Sequence, residues 1–540
     1  RRESIFLLLY LSLSLPNLQV SNPTAARSNM ASQEPKITTS SIDVADVDAT
    51  EKGIVLVHST TSEAKSGMPD APSAPFDEAA TKRLLRKLDL RLIPFLALIY
   101  LLCFLDRTNV GNARLFSLEK DLHMKGLDYN VALAIMFPFY VFAEVPSNMM
   151  MKRIRPSIWL TVIMVTWSVV TICMGFVRNY TGLLVARSFL GLFEGGLFPG
   201  VSYYITMWYK RRECGTRLAF FFSAATAAGA FGGLIARGIA EMNNLGGYAG
   251  WRWIFILEGL LTLVVGSFAY WVIQDYPSTA GFLSTKEKIE VERRLADDND
   301  GLATEFDMRY VYQALRDWKI WVMSVIAIGI LTAIYSISLF LPTIIKEMGY
   351  SSNTAQLMTV PVYVVACFCT VAGNYASDKT GRRGIFVLGF EILAILGFLL
   401  LIATEKPHVQ YAGTFFAASG IYCLFPMVIS WNGNNIGGSL KRGVGIAMQV
   451  GIGNLGGVIS SFVYLIKDEP RFINGHAILI ALISMSLVLT LFMTIYLGRE
   501  NARRDVLLSQ QNLSLEDISD DEKYVQREKG DDASFFRYTV

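Results

Sequence analysis

Long apolar stretches recur along most of this chain, separated by short polar segments. A helix needs about 20 residues to cross the hydrocarbon core of a bilayer. Twelve stretches reach that length once their ends are extended into the flanking positions. The pattern therefore predicts twelve membrane helices, numbered here 1 to 12, at 91–112, 129–151, 157–177, 181–205, 216–238, 252–273, 318–342, 355–376, 384–404, 410–431, 443–466 and 476–497.

The spacing of these helices divides the chain into two halves. Six helices follow closely, a polar stretch covers 274–317, and six more helices follow. Such a layout is typical of transporters built from two related bundles. We predict an all-α membrane protein with two six-helix bundles, at 81–273 and 318–497. The central loop, 274–317, is expected to be cytosolic and to contain a short surface helix near Thr285–Leu295.

Both ends of the chain are polar. Residues 30–80 are rich in Ser, Thr, Pro and Ala without periodicity, and residues 498–540 are highly charged. Such compositions bury too little apolar surface to fold alone, so 1–80 is predicted to be a disordered leader and 498–540 a disordered cytosolic tail. The apolar run Ile5–Leu15 behind Arg1 and Arg2 resembles a signal peptide. Because Met30 offers another start, residues 1–29 need not belong to the mature protein.

Basic residues accumulate at one end of the predicted helices. They precede helix 1 and fill the loops after helices 2, 4 and 8, and cytosolic loops carry such an excess of Lys and Arg. Both termini are therefore predicted to be cytosolic. The residues are Lys82, Arg83, Arg86 and Lys87, then Lys152, Arg153 and Arg155, then Lys210, Arg211 and Arg212, then Lys379, Arg382 and Arg383.

The composition narrows the class of protein further. The chain is 52% hydrophobic and 18% charged, as expected of a polytopic membrane protein. It has no basic block with interleaved aromatics, so no nucleic-acid partner is expected. The six cysteines form no CxxC pair and the four histidines fall in loops or at a helix end, which gives no metal site. With no nucleophile or phosphate cradle either, we expect a non-enzyme without cofactor.

Two opposite charges, Asp106 and Arg107, follow the apolar part of helix 1. That part, Leu92–Leu105, is too short to cross a bilayer, so the helix must continue to about Asn112 and bury both charges. An ionisable group at that depth costs roughly 2.5–3.5 kcal/mol and usually marks a transport path. The carboxylate is a candidate proton site and the guanidinium a candidate anion site.

Helix 4 carries a second pair of buried charges, Arg187 and Glu194. Seven residues separate them, so they share one face at about 10 Å along the axis. Since that distance is too long for an ion pair, we expect both to find partners among the helix 1 charges. The remaining buried acids are Glu144, a gate candidate, Glu258, expected to order the helix 5–6 region with Arg252, and Glu391, expected to be structural.

The loop between helices 8 and 9, Tyr375–Arg383, resembles the loop motif of the major facilitator superfamily. In that family an acid and several basic residues hold the inner gate, which implies gating roles for Asp378, Arg382 and Arg383. The equivalent site between helices 2 and 3 has Asn148 in place of the acid, followed by Lys152 and Arg153. An uneven gate is therefore expected.

Four further segments occur in order and resemble the anion:cation symporter family, within it the fungal allantoate, nicotinate and pantothenate permeases. They are Asp106–Ala113, Arg187–Gly196, Gly250–Gly259 and Asp275–Glu287. The resemblance extends over about residues 85–500. It implies proton-coupled import of organic anions by alternating access, in a multi-pass protein of the plasma membrane.

The resemblance also implies roles for single residues. Arg107 would bind the substrate carboxylate, Asp106 and Glu194 would carry protons, and Arg187 would hold one acid ionised. Amides can bind an uncharged part of a substrate, and tyrosine rings can stack on a substrate ring. The predicted substrate-binding residues are thus Arg107, Asn109, Arg187, Tyr140, Tyr335, Asn432, Asn435 and Gln449, with Asn454 as a further amide in helix 11.

Several alternatives stay open. A nutrient sensor on a transporter fold and a drug:proton antiporter are the main ones, and a membrane-bound enzyme has no supporting motif. Nicotinate, pantothenate, allantoate, biotin and other small carboxylates all fit a site with one buried arginine. The expected partners are the anion, protons and the lipid bilayer, and a monomer is expected.

Overall fold

The computed structural model describes residues 76–114, 117–240, 242, 244–298, 307–510 and 526–540, apart from a few side chains such as that of Lys152. The predicted leader, except for residues 76–80, lies outside this range. Within it, twelve helices are long and apolar enough to cross a membrane, which confirms the predicted fold class. They are α1 Glu78–Arg114, α2 Asp128–Ala134 with Met136–Arg153, α3 Pro156–Met174, α4 Tyr180–Glu194 with Leu197–Thr206, α5 Arg211–Ala240, α6 Gly250–Val272, α7 Trp318–Glu347, α8 Ser352–Thr380, α9 Arg383–Ala403, α10 Pro407–Asn434, α11 Ser439–Asn454 with Gly456–Ser460, and α12 Ile473–Gln510.

Local side-chain caps fix several helix ends. The Asp317 carboxylate accepts a hydrogen bond from the backbone N–H of Lys319 at 3.1 Å where α7 begins. At the C-terminal end of α8, Gly381 has φ 68°, and its N–H donates to the carbonyl of Ser377 at 3.0 Å. A left-handed residue at this position favours glycine. The glycine of the loop motif therefore ends α8 and turns the chain into α9.

The two bundles meet along several helix pairs. Helix α5 packs against α8 and α10, α2 and α4 pack against α11, and α1 packs against α7. Small residues let the backbones approach: a Cβ at Gly229 of α5 would lie 2.7 Å from the Tyr363 ring of α8. The bundle interface is thus closely packed around the centre of the molecule.

The central loop lies against one end of the bundles. We call this end the basic face, because it carries the Lys- and Arg-rich loops after α2, α4 and α8. The loop contains the helices Thr285–Asp298 and Met308–Arg316, the first of which matches the predicted surface helix. Lys87 Nζ lies 2.7 Å from a Glu287 carboxylate oxygen, and Arg294 pairs with Glu213. These ion pairs tie the loop to the starts of α1 and α5.

The end of the chain differs from the predicted disordered tail. Helix α12 continues to Gln510, and residues 526–540 pack on the basic face of the second bundle. The Arg504 guanidinium donates to the carbonyls of Asp531, Ala533 and Phe536 at 2.9, 3.2 and 2.9 Å. The prediction failed because the charges of this segment suggested full solvation. Residues 511–525 lie outside the described range.

Asp531 anchors this C-terminal segment. Its carboxylate is fully buried and lies 2.5 Å from both Lys319 Nζ and Lys441 Nζ. Burial acts to raise the pKa of Asp531, but Lys441 and Lys319 outweigh it and hold that pKa below its ordinary value. Asp317 lies 2.8 Å from Lys441 Nζ. The four side chains form a compact cluster of paired charges.

Candidate functional site

A small cavity lies between the bundles and contains Arg107, the one charged side chain among its described lining residues. Tyr100, Phe104, Tyr140 and Phe198 line it from the first bundle. Leu331, Ile334, Tyr335, Phe425, Val450 and Asn454 are the lining residues of the second bundle. The space has room for about one water molecule, so this conformation encloses the arginine on all sides.

Arg107 of α1 is ion-paired with Glu194 of α4. The Arg107 Nε lies 3.0 Å from Glu194 Oε1, and its Nη2 contacts the same oxygen. The Cys103 thiol also donates to Oε1, at 2.9 Å. Glu194 Oε2, by contrast, is buried and has no hydrogen-bond partner in the described structure. One oxygen of this carboxylate is thus saturated with donors while the other is free.

A chain of hydrogen bonds continues from Arg107 into the second bundle. Arg107 Nη1 donates to the Tyr335 hydroxyl at 2.6 Å, and this hydroxyl donates to Asn454 Oδ1 at 2.7 Å. The Asn454 amide then donates to Glu144 Oε1 at 2.9 Å. We call Glu194, Arg107, Tyr335, Asn454 and Glu144 the interface network. It runs from α4 and α1 to α7 and α11 and returns to α2, so it links the two bundles twice.

Aromatic rings surround the same guanidinium. The Arg107 Cζ lies 4.8 Å from the ring centroid of Tyr140, 5.5 Å from that of Tyr335 and 5.9 Å from that of Phe104. Such cation–π contacts contribute up to about 2 kcal/mol when desolvated. The cavity therefore combines one positive charge with flat apolar walls, which suits an anion that carries a ring.

Asp106 does not pair with Arg107. Consecutive helical residues point about 100° apart, since 3.6 residues make one turn. The Asp106 carboxylate faces α3 and α6, where Oδ2 accepts from Trp167 Nε1 at 3.0 Å and from the Thr262 hydroxyl at 3.3 Å. One turn further, the Asn109 amide donates to Glu258 Oε2 at 2.5 Å. Asp106 and Asn109 therefore lie inside the first bundle rather than at the cavity.

Arg187 also lies outside the cavity, and the structure corrects its predicted partnership with helix 1. Its Nε and Nη2 donate to the carbonyls of Ala132 and Leu133 at 3.1 and 3.3 Å. These carbonyls lie next to the break in α2, where they lack part of their helical hydrogen bonding. Within the described residues no carboxylate lies at ion-pair distance from Arg187. The expected contact of Glu258 with Arg252 is likewise wrong, since Arg252 donates to the carbonyls of Gly175 and Val177.

The predicted amides of the second bundle also lie away from the cavity. Asn432 donates to Gln449 Oε1 at 2.9 Å in the interior of the bundle. Asn435 binds the C-terminal segment, since its amide donates to the Thr539 carbonyl at 3.0 Å and its Oδ1 accepts from the Thr539 N–H at 2.7 Å. The amide that lines the cavity is that of Asn454, which lies on a different face of α11 from Gln449.

The gate candidates lie on the basic face. Asp378 accepts from Arg383 Nη2 at 2.6 Å and from the Thr216 hydroxyl of α5, so this loop motif joins the two bundles. Arg382 and Arg153 are exposed. Asn148 is half-buried and its Oδ1 has no hydrogen-bond partner among the described residues, whereas the Lys152 side chain lies outside the described part. The described gate contact thus comes from the Asp378 loop.

Residues 96–461 match the model of the Major Facilitator Superfamily. The chain belongs to this superfamily. It is 35% identical to an uncharacterized transporter of Schizosaccharomyces pombe over 443 residues, which cover 82% of this chain and 88% of that protein. It is 31% identical to the high-affinity nicotinic acid transporter of Saccharomyces cerevisiae over 476 residues, which cover 88% of this chain and 87% of that protein.

A solved structure shows the same fold as this major facilitator protein. It is a bacterial homologue of the human lysosomal transporter Spinster in an inward-facing and occupied conformation. The TM-score is 0.54 at 16% identity, with 78% of this chain and 98% of that chain covered. The named relatives are transporters, as expected of a chain with twelve membrane helices and no predicted enzymatic motif.

In this superfamily member, two residues of the site could not be predicted as such, and both are neutral. Cys103 lies about one turn before Arg107 and shares its face, and its thiol donates to Glu194 Oε1. Trp167 carries no charge and lies in an uncharged stretch of α3, so no signal marked it. Helical spacing is enough to identify Cys103, whereas Trp167 is recognised only once the packing of α3 against α1 is known.

Proposed function

We propose that this transporter is a proton-coupled symporter that imports a small organic anion, with an aromatic monocarboxylate such as nicotinate as the leading candidate. One observation carries the proposal: a single buried arginine lines an aromatic cavity between the bundles and is neutralised by Glu194. A carboxylate on a ring matches both features, and the cavity, which now has room for about one water molecule, has to widen to admit it. The likeness to a nicotinic acid transporter supports the same class of substrate.

The geometry suggests how the anion and the proton are coupled. An incoming carboxylate binds Arg107 and displaces Glu194, whose free Oε2 then takes up a proton. The loaded site, with one arginine, one carboxylate and a neutral Glu194, carries no net charge from these groups. An ionised Glu194 without its arginine would be an uncompensated buried charge, which is costly. Anion and proton therefore have to cross together.

Displacement of Glu194 also affects the contact between the bundles. Arg107 donates to Tyr335, and Tyr335 holds Asn454 and, through it, Glu144. When Arg107 turns towards a substrate, its hydrogen bond to Tyr335 is broken. The interface network then no longer joins α1 to α7, which frees the bundles to rock about the site. The Asp378–Thr216 contact at the basic face would have to open in the inward-facing state.

Transport assays in yeast cells that express the full chain test this proposal. Labelled nicotinate should accumulate against its gradient, and a protonophore should abolish the accumulation. Glu194→Gln should abolish uphill uptake and retain counterflow exchange, because a neutral residue mimics the protonated acid. Glu391→Gln is the matched control, since Glu391 is a buried acid on α9 outside the cavity, and should behave as the unchanged protein.

Two results would contradict the proposal. Undiminished uphill uptake by Glu194→Gln would remove Glu194 from the coupling mechanism. Failure of nicotinate, pantothenate and allantoate to enter the cells or to compete with one another would exclude this substrate class. Both measurements require that a fluorescent fusion of each variant is observed at the plasma membrane, so that a loss of uptake is not a loss of surface expression.

A further inference from the structure

A second set of buried polar side chains lies inside the first bundle, away from the cavity. Asp106 and Asn109 of α1 face Thr262 and Glu258 of α6, and Trp167 of α3 closes the set. All five side chains are at most 4% exposed. We call them the inner cluster. The family resemblance implies a proton on Asp106, but the coupling mechanism proposed above uses none of these five side chains.

The inner cluster contains two hydrogen-bonded pairs that join α1 to α6. In one pair the Thr262 hydroxyl donates to Asp106, and in the other the Asn109 amide donates to Glu258. The two pairs are three residues apart on α1 and four residues apart on α6, which is one helical turn, or about 5 Å. The two carboxyl groups therefore lie about one helical turn apart along the α1–α6 contact.

Among the described residues, no Lys or Arg forms an ion pair with either of these two acids. The guanidinium of Arg107 is occupied by Glu194, and Arg252 of α6 donates to loop carbonyls. Helix α5 has no titratable residue between Arg217 and Arg237, and α3 has only the exposed Cys173. Glu194 of α4 is the nearest other acid, and it adds negative charge. Two ionised carboxylates cannot be held together in such surroundings.

The hydrogen bonds of the inner cluster fit a proton-bearing state. Each carboxyl has one oxygen that accepts hydrogen bonds and one that is buried without a partner among the described residues, Asp106 Oδ1 and Glu258 Oε1. The Asn109 Oδ1 is also buried and unpartnered. A carboxylate oxygen can only accept, whereas a protonated one donates. A proton on either acid therefore supplies one donor to a set in which all three unpartnered atoms are acceptors.

We propose that Asp106 and Glu258 share one proton in a second coupling site, positioned by Asn109, Thr262 and Trp167. This inference rests on the proposed proton symport and extends it. It assigns to each transport cycle one proton at Glu194 and a second at the inner cluster. The acceptors are all oxygens, so the test includes sodium as a competing ligand.

Proteoliposomes that contain the full chain allow protons and labelled nicotinate to be counted together. We expect two protons per anion for the unchanged protein. Glu258→Gln, Asp106→Asn and the double variant should each transport one proton per anion, because removal of either acid removes the same shared site. Glu391→Gln, the matched buried acid of the second bundle, should keep two. Counterflow exchange by each variant shows that it is folded.

The alternatives give distinct results. Two independent sites would leave the double variant with one proton fewer than either single variant, and a structural Glu258 would leave the count at two; both overturn the proposal. Loss of uptake when choline replaces sodium would assign the inner cluster to sodium instead. If the unchanged protein moves nicotinate without protons, the proposed function itself fails.

Discussion

The two bundles bury their charges in different ways. The first bundle holds Asp106, Glu194 and Glu258 at membrane depth, and each has one carboxyl oxygen without a partner in the described structure. The second bundle places its charged cluster at the basic face, where Lys319 and Lys441 are shared between Asp317 and Asp531. Towards the cavity it presents neutral groups, Tyr335 and Asn454.

This difference separates function from stability. A fully paired cluster has no reason to change its protonation and holds helices together. A partly paired carboxyl can exchange a proton or a partner during a cycle. Glu391 is the exception in the second bundle, since its Oε2 is unpartnered, but it binds Thr490 between α9 and α12, away from the other bundle. Its position makes it a useful control.

The largest expected effect is on Arg107. Arg107→Lys keeps the positive charge but loses the planar fork that contacts Glu194 and Tyr335 together. Disruption of a buried pair costs roughly 3–5 kcal/mol, so we expect uptake at subsaturating nicotinate to fall at least about 100-fold. Arg471→Lys, at a partly exposed pair with Glu405, is the control and should stay within about twofold. Near-normal uptake by Arg107→Lys would show that the aromatic walls alone bind the substrate.

The next effect concerns stability. Asp531→Asn leaves Lys319 and Lys441 without their shared carboxylate, so the Tm of the purified protein should fall by several degrees while transport is retained. Asp532→Asn is the control, because the Asp532 side chain is 72% exposed. Loss of transport with an unchanged Tm would make the charged cluster of the second bundle functional and erase the contrast between the bundles.

The pH dependence of this effect has a definite sign. The folded pKa of Asp531 is lowered, so its ionised form stabilises the fold above its unfolded pKa of roughly 4. This stabilisation is lost as the pH falls through the folded pKa. The Tm difference between the unchanged protein and Asp531→Asn should therefore be constant from about pH 6 to 8 and shrink below about pH 4. A difference that grows on acidification would contradict the assigned ion pairs.

A smaller effect tests the link between the bundles. Tyr335→Phe keeps the ring beside Arg107 but removes the hydroxyl that joins Arg107 to Asn454. A hydrogen bond to a charged group contributes about 1.5–3 kcal/mol. Because this bond is broken when Arg107 turns towards the substrate, its loss favours the loaded state, and the half-saturating nicotinate concentration should fall about tenfold. Tyr422→Phe, which loses a hydroxyl bonded to Ser338 inside the second bundle, is the control. Equal effects of both variants would mean that the interface network has no special role.

The contrast between the bundles was only partly predictable. The short apolar part of helix 1 shows that Asp106 and Arg107 are buried, because a bilayer requires a longer span. Helical geometry also separates their directions. The expectation that Glu194 finds its partner among the helix 1 charges is confirmed by Arg107, which lies 87 positions away. The same expectation for Arg187 is wrong, because no periodicity in the sequence reports which of these charges meet. Nor does the sequence show that Asp531 meets Lys319 and Lys441, because charged tails look alike whether docked or solvated.

The smallest expected effect distinguishes the resting from the loaded site. Cys103→Ala removes a donor to Glu194 Oε1, which stabilises the ionised acid next to Arg107 more than the protonated, displaced acid. The variant should therefore favour the loaded state, and the half-saturating nicotinate concentration should fall about two- to fivefold. Cys423→Ala, at a buried cysteine near Thr370 in the second bundle, should leave it unchanged. A rise for Cys103→Ala would instead place the thiol among the groups that support the bound anion, and Glu194 would then stay beside Arg107 throughout the cycle.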